Sequence, residues 1–437
     1  MLEIKAGDCR GDRRVRIIGS GFREHALLNL TRRSPQIAYL DIAPGNGGTM
    51  PHNIPIAATN IDSQVKDAKD RGIDTVIVGP EDPLALGIRD RMNAAGINVF
   101  GPTASEARIE SSKWFAIQLM QAAGIPHPRT KAFYDEYSAK KYLESVRFEN
   151  IVIKEDYLKR GQGVYVPDSL DGAHYALSFA FKESAKTGTP VLLQSRVRDA
   201  TEASFMAIVD GEHIVPLPSS QDYKRIGNND TGPNTGGVGA FAPTPTITSE
   251  LSNRIMQEIM YPILAEMKKR GMNYKGILYA GLMIDKNGNP VVIEFNCRGG
   301  DPEFPVIYTL LKEDVDIIEI IDAVKNGTLR EDQVRFLDNM VSLGIVATSG
   351  GYPGNFEIGQ TITGLDQNLD SNSFLFHSGT RLNGNRVETN GGRVALAVGR
   401  AENFTIAKEK ATKVINQVVF KGGQHRDDIG NNKSLPY

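Results

Sequence analysis

Cysteine is nearly absent from this chain of 437 residues, which has only Cys9 and Cys297. Two cysteines cannot form the disulfide framework that stabilises small secreted proteins. Their scarcity favours a reducing compartment, so we expect a cytoplasmic protein.

Long apolar stretches are also lacking, as is an excess of charge of either sign. No run is long enough to span a bilayer, and the arginines at 10, 13, 14 and 16 are not followed by the apolar segment of a signal peptide. The formal net charge is -2, so the composition indicates neither a nucleic-acid nor a membrane partner. Glycine, in contrast, is abundant, and many of the 44 glycines cluster in loops that suit ligand binding by the backbone.

The first hundred residues alternate strand and helix patterns. The β-branched runs at 15–18, 37–42, 75–78 and 99–100 each end in a loop rich in glycine or proline. A single loop of this kind is more often a plain turn. Four in series, however, favour a doubly wound α/β domain, in which ligands bind at the carboxyl ends of the strands.

A second candidate site follows the apolar run Val291–Ile293. Glu294 and Asn296 are two positions apart, so in a strand both point to one face. A carboxylate and an amide oxygen are hard ligands of the kind that Mg²⁺ prefers beside phosphates. An isolated Glu-x-Asn sequence most often belongs to an ordinary edge strand. Here, however, Arg298, Asp301 and Glu303 follow within a few residues. The crowding of these groups favours a magnesium site.

Two loops are predicted to contribute to ligand binding. Residues 155–163 form the charged tip of a predicted hairpin between strands at 151–154 and 164–166, which we interpret as a mobile flap. Residues 219–240 are too rich in glycine and polar side chains for a helix or an interior strand, and loops this long are usually functional. Further hairpins are predicted at 202–217 and 276–295, and helices at 113–123, 249–270, 313–326 and 405–419.

Taken in order, the motifs of this chain resemble those of the glycinamide ribonucleotide synthetase family of the ATP-grasp superfamily. The resemblance runs from about Val15 to Gly430, and the long loop together with the EFNCR–GDPE string is its most specific part. The matching strings are GSGFREHA at 19–26, APGNGGT at 43–49, GPEDPL at 79–84, SQDYKRIGNNDTGPNTGGVGA at 220–240, YAGLMID at 279–285, EFNCRGGDPE at 294–303, GGYPG at 350–354, HSGT at 377–380 and TNGGRV at 389–394.

The resemblance implies an α/β fold of ATP-grasp architecture with four parts. These are an N-terminal doubly wound α/β substrate-binding domain at 13–112, a helix and small α+β nucleotide flap domain at 113–200, a central α+β ATP-grasp catalytic domain at 201–335 and a C-terminal β-rich domain at 336–437.

The resemblance also implies an activity. The family uses ATP and Mg²⁺ (or Mn²⁺) to phosphorylate the carboxylate of glycine, and the amine of 5-phosphoribosylamine then attacks the glycyl phosphate. The products are glycinamide ribonucleotide, an intermediate of purine biosynthesis, with ADP and phosphate. A monomer or weak homo-oligomer with small-molecule substrates is expected.

Site residues follow by motif. The metal ligands would be Glu294 and Asn296, and the catalytic residues Arg298, Asp222, Lys224 and Asp301. The nucleotide would contact Lys113, Lys154, Gly161, Gly163, Gln194, Arg196, Val197 and Glu202. The substrates would contact Gly21, Arg23, Glu24, Asn46, Gly47, Gly48, Thr49, Pro80, Glu81, Arg225, Thr231, Asn234, Thr235, Gly236 and Gly237.

The chain departs from the family pattern mainly in the nucleotide half. Two lysines of the pattern are Ile117 and Gln162 here, and the acidic pair beside the adenine is Gln194 and Ser195. Losing such charged hydrogen bonds weakens binding by about 1.5–3 kcal/mol each. Two alternatives to the family activity therefore stay open: a related ligase with another carboxylate, amine or nucleotide, and a non-catalytic binding protein.

Overall fold

The N-terminal part of the computed structural model, which describes residues 11–158 and 163–431, is built on a parallel sheet in the order β2-β1-β3-β4. In β1, Ile17 and Ile18 point to opposite faces and pack into different hydrophobic cores. A parallel sheet buried on both faces is the predicted doubly wound arrangement, which is confirmed. Its strands are β1 (Arg13–Gly19), β2 (Ile37–Pro44), β3 (Thr75–Val78) and β4 (Asn98–Phe100), and its helices α1 (Phe22–Thr31), α2 (Ile61–Asp70), α3 (Glu81–Ala85), α4 (Ile88–Ala94) and α5 (Ala104–Ser111).

A small antiparallel sheet in the order β5-β8-β6-β7 forms the flap region. Ile153 and Leu193 pack against Ala173 and Leu177 of its longest helix, so the flap has its own small core. The tip residues Lys159 to Gln162 lie outside the described residues. The helices are α6 (Lys113–Ala123), α7 (Glu136–Glu144) and α8 (Leu170–Thr187), and the strands β5 (Thr130–Phe133), β6 (Ile151–Glu155), β7 (Val164–Tyr165) and β8 (Val191–Ser195).

Two hairpins pair to form the central sheet, in the order β10-β9-β15-β16. Both hairpins were predicted, and both are confirmed. The helix predicted at 249–270 contains a π-helical stretch at Met256–Met260, and the one predicted at 313–326 begins only at Ile317, because Asp316 caps it. The elements are β9 (Ala200–Val209), β10 (Ile214–Pro216), α9 (Ser249–Ile255), α10 (Tyr261–Lys269), β15 (Gly276–Asp285), β16 (Pro290–Asn296), α11 (Glu303–Tyr308) and α12 (Ile317–Asn326).

A third, five-stranded sheet joins the central part of the chain to its C-terminal part. Its order is β11-β14-β17-β21-β18, so β14 lies inside the sheet, paired with β17. The prediction that 219–240 holds no interior strand is thus wrong at its end, where Gly239 and Ala240 begin β14 because their backbone hydrogen-bonds on both sides. The remaining elements are β11 (Gln221–Asp222), β12 (Arg225–Gly227), β13 (Thr231–Asn234), β14 (Gly239–Ala242), β17 (Val341–Thr348), β18 (Ser373–His377), β19 (Thr380–Asn383), β20 (Arg386–Thr389), β21 (Arg393–Ala401) and α13 (Phe404–Ile415).

Among the described residues, no helix combines the length and the apolar character needed to cross a membrane.

A buried ion pair ties β1 to its neighbours. The side chain of Arg16 is fully buried, and its Nε and Nη2 atoms donate to the two carboxylate oxygens of Asp41 on β2, each at 2.8 Å. The same Nη2 atom donates to Asp67 on α2 at 2.6 Å. One guanidinium thus fixes the spacing of two strands and a helix.

We expect Arg16→Ala to lower the free energy of unfolding of the N-terminal part by about 3–5 kcal/mol, because it removes the cation that pairs with the buried Asp41. Urea unfolding followed by circular dichroism measures this. The matched control is Arg71→Ala, which removes a pair with the same Asp67 from a side chain that is 41% exposed and should cost less than about 1 kcal/mol. Equal losses of stability in the two variants would contradict the role given to Arg16 in holding β1, β2 and α2 together.

Candidate active site

One cavity of about 550 Å³ lies where the four parts of the chain meet. The loops after β1 and β3 form one side, and α5 and α6 a second. The flap strands β6 and β8, the strand β16 with the turn after it, and the residues Ser378 and Arg393 complete the wall. Its volume is within the range of about 300–1,000 Å³ typical of small-molecule sites.

The cavity brings together more than half of the residues predicted from the sequence. The wall includes Gly21, Arg23, Glu24, Pro80, Glu81, Lys113, Lys154, Gln194, Asp222, Lys224, Thr235, Gly236, Glu294, Asn296, Arg298 and Asp301. It does not include Asn46, Gly47, Gly48, Thr49, Gly163, Arg196, Val197, Glu202, Arg225, Thr231, Asn234 or Gly237. Gly161 lies outside the described residues.

The loop after β2 has a structural explanation for its place outside the wall. Asn46 is buried, and its Nδ2 atom donates to the carbonyl oxygens of Ser20 and His377. A Cβ atom on Gly48 would lie 2.6 Å from the ring of His377. The loop therefore acts as a joint between the N-terminal and C-terminal parts, and its glycines allow the close approach.

The N-terminus of α1 is also already engaged. The backbone N–H of Gly21 donates to Glu24, and that of Arg23 donates to Asp301 at 3.2 Å. Two carboxylates therefore occupy the positive end of the helix, where an anion is favoured. These two amides are not available to a phosphate in this arrangement.

One carboxylate at the centre of the cavity faces several cations. Burial raises the pKa of Glu294, but Lys224, Lys154 and Lys113, followed by Arg298, outweigh it and bring the pKa below its usual value. Glu294 is therefore ionised at neutral pH. The cluster of cations around Glu294 suits a polyphosphate.

The three lysines differ in their electrostatics. Burial lowers the pKa of Lys154 to about 8, and Lys113 and Lys224 nearby act in the same direction. Burial also lowers the pKa of Lys113, whose Nζ donates to the carbonyl of Tyr157 at 3.1 Å. For Lys224, burial is outweighed by Asp222, Glu202 and Glu294, which raise its pKa well above the usual value.

Glu202 lies just outside the cavity and forms an ion pair with Lys224. Asp222 faces the same lysine, yet its buried Oδ1 atom has no hydrogen-bond partner within the described part of the chain. Burial, together with Glu303, Glu202 and Glu294, raises the pKa of Asp222 well above its usual value despite Lys224. This oxygen can therefore accept a hydrogen bond from a ligand.

Arg298 is held by protein groups on several sides. Its Nε donates to Glu81 at 3.2 Å, and its Nη2 donates to Glu110 at 2.9 Å and to the side-chain oxygen of Asn296 at 3.1 Å. The exposed fractions of the Arg298, Glu81 and Glu110 side chains are 18%, 11% and 8%. This network fixes the guanidinium and leaves it few donors for a substrate.

Sequence reasoning missed several residues of the wall. Glu110, at the end of α5, holds Arg298 and also accepts from the backbone N–H of Cys297 at 2.8 Å. Arg393 of β21 donates to the carbonyl oxygens of Gly236 and Asp301, each at 2.5 Å. Its signal was the TNGGRV string at 389–394, which gave no reason to place that arginine beside the distant Asp301.

The donor groups at the centre of the cavity bear on whether it can hold magnesium. Among the described residues there is no group of three or more His, Cys, Asp or Glu side chains placed to hold a metal ion. Mg²⁺ beside a nucleotide, however, needs only one or two protein oxygens, because phosphates and water supply the others. The ionised Glu294 fits such a site, and so does the side-chain oxygen of Asn296, which accepts from Arg298 at 3.1 Å and has a second lone pair for the ion.

Apolar side chains line the part of the cavity between the flap and β16. Ile117 and Met120 of α6 are buried there, with Leu192 on β8 and Phe295 on β16. Gln194 brings no charge to this part of the cavity, and its Nε2 atom donates to the hydroxyl of Thr130 at 2.9 Å. A slot of this kind suits a planar base through dispersion and apolar burial.

Models of one family match nearly the whole chain. The phosphoribosylglycinamide synthetase N domain matches residues 13–110, the ATP-grasp (A) domain residues 111–304 and the C domain residues 342–432.

Relatives found by sequence similarity are named for the same activity or for purine biosynthesis. A phosphoribosylamine–glycine ligase of Vibrio vulnificus is 40% identical over 422 residues, covering 95% of this chain and 97% of the relative. One from Escherichia coli is 39% identical, covering 95% and 98%. The trifunctional purine biosynthetic protein adenosine-3 of Gallus gallus is 39% identical over 95% of this chain, which spans 42% of that protein.

Solved structures with a similar fold include a phosphoribosylamine–glycine ligase. The phosphoribosylamine–glycine ligase of Thermotoga maritima superposes with a TM-score of 0.80 at 30% identity, covering 95% of this chain and 100% of the other. Biotin carboxylase of Campylobacter jejuni has a TM-score of 0.73 at 16% identity, covering 97% of this chain and 96% of that one, a likeness of fold alone. On these matches, and as its motifs indicated, the chain belongs to the phosphoribosylglycinamide synthetase family.

Proposed function

We propose that this chain is an ATP-dependent ligase that joins glycine to 5-phosphoribosylamine, giving glycinamide ribonucleotide, ADP and phosphate. The observation that carries the proposal is one cavity in which a cationic half, with Lys113 and Lys154, adjoins an acceptor half with Asp222 and Lys224. Relatives that cover 95% of the chain bear the name of this activity.

The nucleotide would lie in the cationic half. Its base fits the apolar slot beside Phe295, and its phosphates fit between Lys113 and Lys154. Mg²⁺, held by Glu294 and Asn296, would neutralise charge on the transferring phosphoryl group. Lys154 and Lys113 would hold the phosphates in line with the glycine carboxylate.

Glycine would lie in the acceptor half. The Oδ1 atom of Asp222, which has no partner among the residues that the structure describes, would accept from its ammonium group, and Lys224 would attract its carboxylate. A carboxylate is a poor electrophile, so transfer of the terminal phosphoryl group of ATP to one of its oxygens supplies a leaving group. The amine of phosphoribosylamine then attacks the carbonyl carbon, the carbon–oxygen bond to phosphate breaks, and the nitrogen loses a proton.

Phosphoribosylamine would approach from the N-terminal side. Pro80 and Glu81 after β3 line that side of the cavity, with Ser20 and Thr59. Hydroxyls of the ribose are suited to Glu81, whose carboxylate is fixed by Arg298. We place the reaction in the cytoplasm, in a monomer or weak homo-oligomer.

Phosphate release tests the function directly, with ATP, Mg²⁺, glycine and phosphoribosylamine generated in place. Glu294→Ala should lower turnover by about a hundredfold or more, since it removes a metal ligand. Glu258→Ala is the control, because that glutamate is 41% exposed and pairs only with Arg254 in the described structure. Turnover only with another amino acid or amine would favour a related ligase, and absence of both turnover and nucleotide binding would favour a non-catalytic protein.

The pKa of Lys154, about 8, predicts a pH dependence of nucleotide affinity. A lysine is charged below its pKa, so as the pH rises through 8 the side chain loses the charge that attracts phosphate. Calorimetric titration with ATP should show an affinity that is level below pH 8 and falls by up to about tenfold per pH unit above it. Lys154→Arg keeps its charge and should remove the slope. A slope that persists in this variant would assign the titration to another group.

Arg298 is proposed to act as a positioning residue that holds Glu81, Glu110 and Asn296. Arg298→Met should then destabilise the free protein by about 3–5 kcal/mol, because the buried carboxylate of Glu110 loses the cation with which it pairs. Urea unfolding without ligands provides the readout. When Glu110→Gln is added to this variant, most of the lost stability should be recovered. A free protein of unchanged stability would instead indicate a guanidinium that serves only the substrate.

A further inference from the structure

Lys224, which lines the active-site cavity, lies at the base of an exposed hairpin. The strands β12 and β13 form this hairpin, and residues 228–234 at its tip and along β13 are all exposed. Where the hairpin closes, the backbone N–H and the hydroxyl of Thr235 both donate to the carbonyl of Lys224, at 2.7 and 2.8 Å. Thr235 lines the cavity as well. The orientation of the hairpin therefore affects where Lys224 points.

The residues on both sides of Lys224 are held by the C-terminal segment, residues 426–430. The Nη1 atom of Arg426 donates to the carbonyl of Arg225 at 2.9 Å. Its guanidinium lies over the ring of Tyr223, 5.0 Å from the ring centroid, which is within reach of a cation–π interaction. The hydroxyl of Tyr223 accepts from a backbone N–H of the same segment at 3.0 Å. Lys224 thus lies between two residues that a distant part of the chain fixes.

The tip of the hairpin is held by the same C-terminal segment. Asn229 and Asp230 are consecutive non-glycine residues with positive φ angles, 54° and 53°, a conformation that is unfavourable for residues with a side chain. The backbone N–H of Asn229 donates to Asp428 at 2.8 Å, and Asp230 accepts from the Nη1 atom of Arg426 at 2.8 Å. Such a conformation persists where the surrounding structure holds it, so these contacts fix the tip.

The geometry of Arg426 suits it to a fixed role. Its side chain is only 2% exposed, and its Nε and Nη2 atoms donate to the two carboxylate oxygens of Asp428 at 2.7 and 2.6 Å. A bidentate pair of this kind fixes the plane of the guanidinium. Arg426 is not part of the cavity wall. Any effect of this arginine on a substrate must therefore pass through Tyr223, Arg225 and the hairpin.

We propose that Arg426 is a positioning residue for the acceptor half of the active site. Together with Asp428 it fixes the two neighbours of Lys224 and the hairpin, and so directs the ammonium group of Lys224 toward the carboxylate of the amino-acid substrate. The inference rests on the proposed ligase function, in which Lys224 attracts the carboxylate of glycine. The affinity for glycine then depends on a residue that contacts neither substrate nor nucleotide.

Steady-state kinetics of phosphate release by the full chain test this role through two separate Michaelis constants. In Arg426→Gln, the KM for glycine should rise about tenfold or more, the loss expected when one charged hydrogen bond is misplaced. The KM for ATP should stay within about twofold, because Lys113 and Lys154 are carried by α6 and β6 rather than by the hairpin. Arg381→Gln is the matched control, since that arginine is 46% exposed and pairs with Glu388, and it should change neither constant.

A double variant separates positioning from stability. Arg426→Gln leaves Asp428 without its cation and should lower the temperature of thermal unfolding. Adding Asp428→Asn removes that charge, so most of the stability should be recovered. The KM for glycine should nevertheless stay raised in the double variant, because the carbonyl of Arg225 still lacks its donor. A KM that returned to the wild-type value together with the stability would show a purely structural role and overturn the proposal.

Hydrogen exchange of the free protein, followed by mass spectrometry, gives a readout that does not depend on activity. In Arg426→Gln, segment 224–235 should exchange faster than in wild type, whereas α6 should be unchanged. Wild-type protein that fails to turn over glycine would contradict the ligase function, and faster exchange in the variant would still assign the hairpin to Arg426. The positioning role is overturned by unchanged exchange at 224–235, by an unchanged KM for glycine, or by an equal rise of both Michaelis constants.

Discussion

The active site depends on the balance between one carboxylate and the cations around it. Glu294 offsets the mutual repulsion of Lys113, Lys154 and Lys224, and they in turn keep Glu294 ionised by lowering its pKa. In a low-dielectric cavity neither the lysines nor the carboxylate would stay charged alone. The arrangement holds its charges in place before any ligand arrives, and preorganised charge of this kind needs no rearrangement during a reaction.

Around this centre, rigid groups come from every part of the chain. Arg298 links the turn after β16 to Glu81 of the N-terminal domain and to Glu110 of α5. Arg393 reaches from the C-terminal sheet to Gly236 and Asp301. Both arginines bind protein groups and thereby connect different parts of the chain. The positive charge that remains for a ligand is therefore mainly that of the lysines.

The sequence was a good guide where the signal is local. The pair Glu294 and Asn296 follows from strand periodicity, and both residues line the cavity. The loop at 46–49 is predicted to bind a substrate, and in the structure it also approaches His377 closely, 331 residues away from Asn46, a contact that the local sequence does not indicate. Arg393 and Glu110 were missed because a partner from another domain leaves no local trace. The motif resemblance to a known family carried the rest of the assignment.

The pairing of β14 with β17 affects how the chain can be divided. β14 precedes the turn after β16 in sequence, yet on one side it pairs with β17 of the C-terminal region. A protein cut after residue 335 would expose that strand as an open edge, and open edges recruit other strands. The C-terminal sheet is thus a continuation of the catalytic unit, and an insertion or exchange of modules is best tolerated at a boundary other than this one.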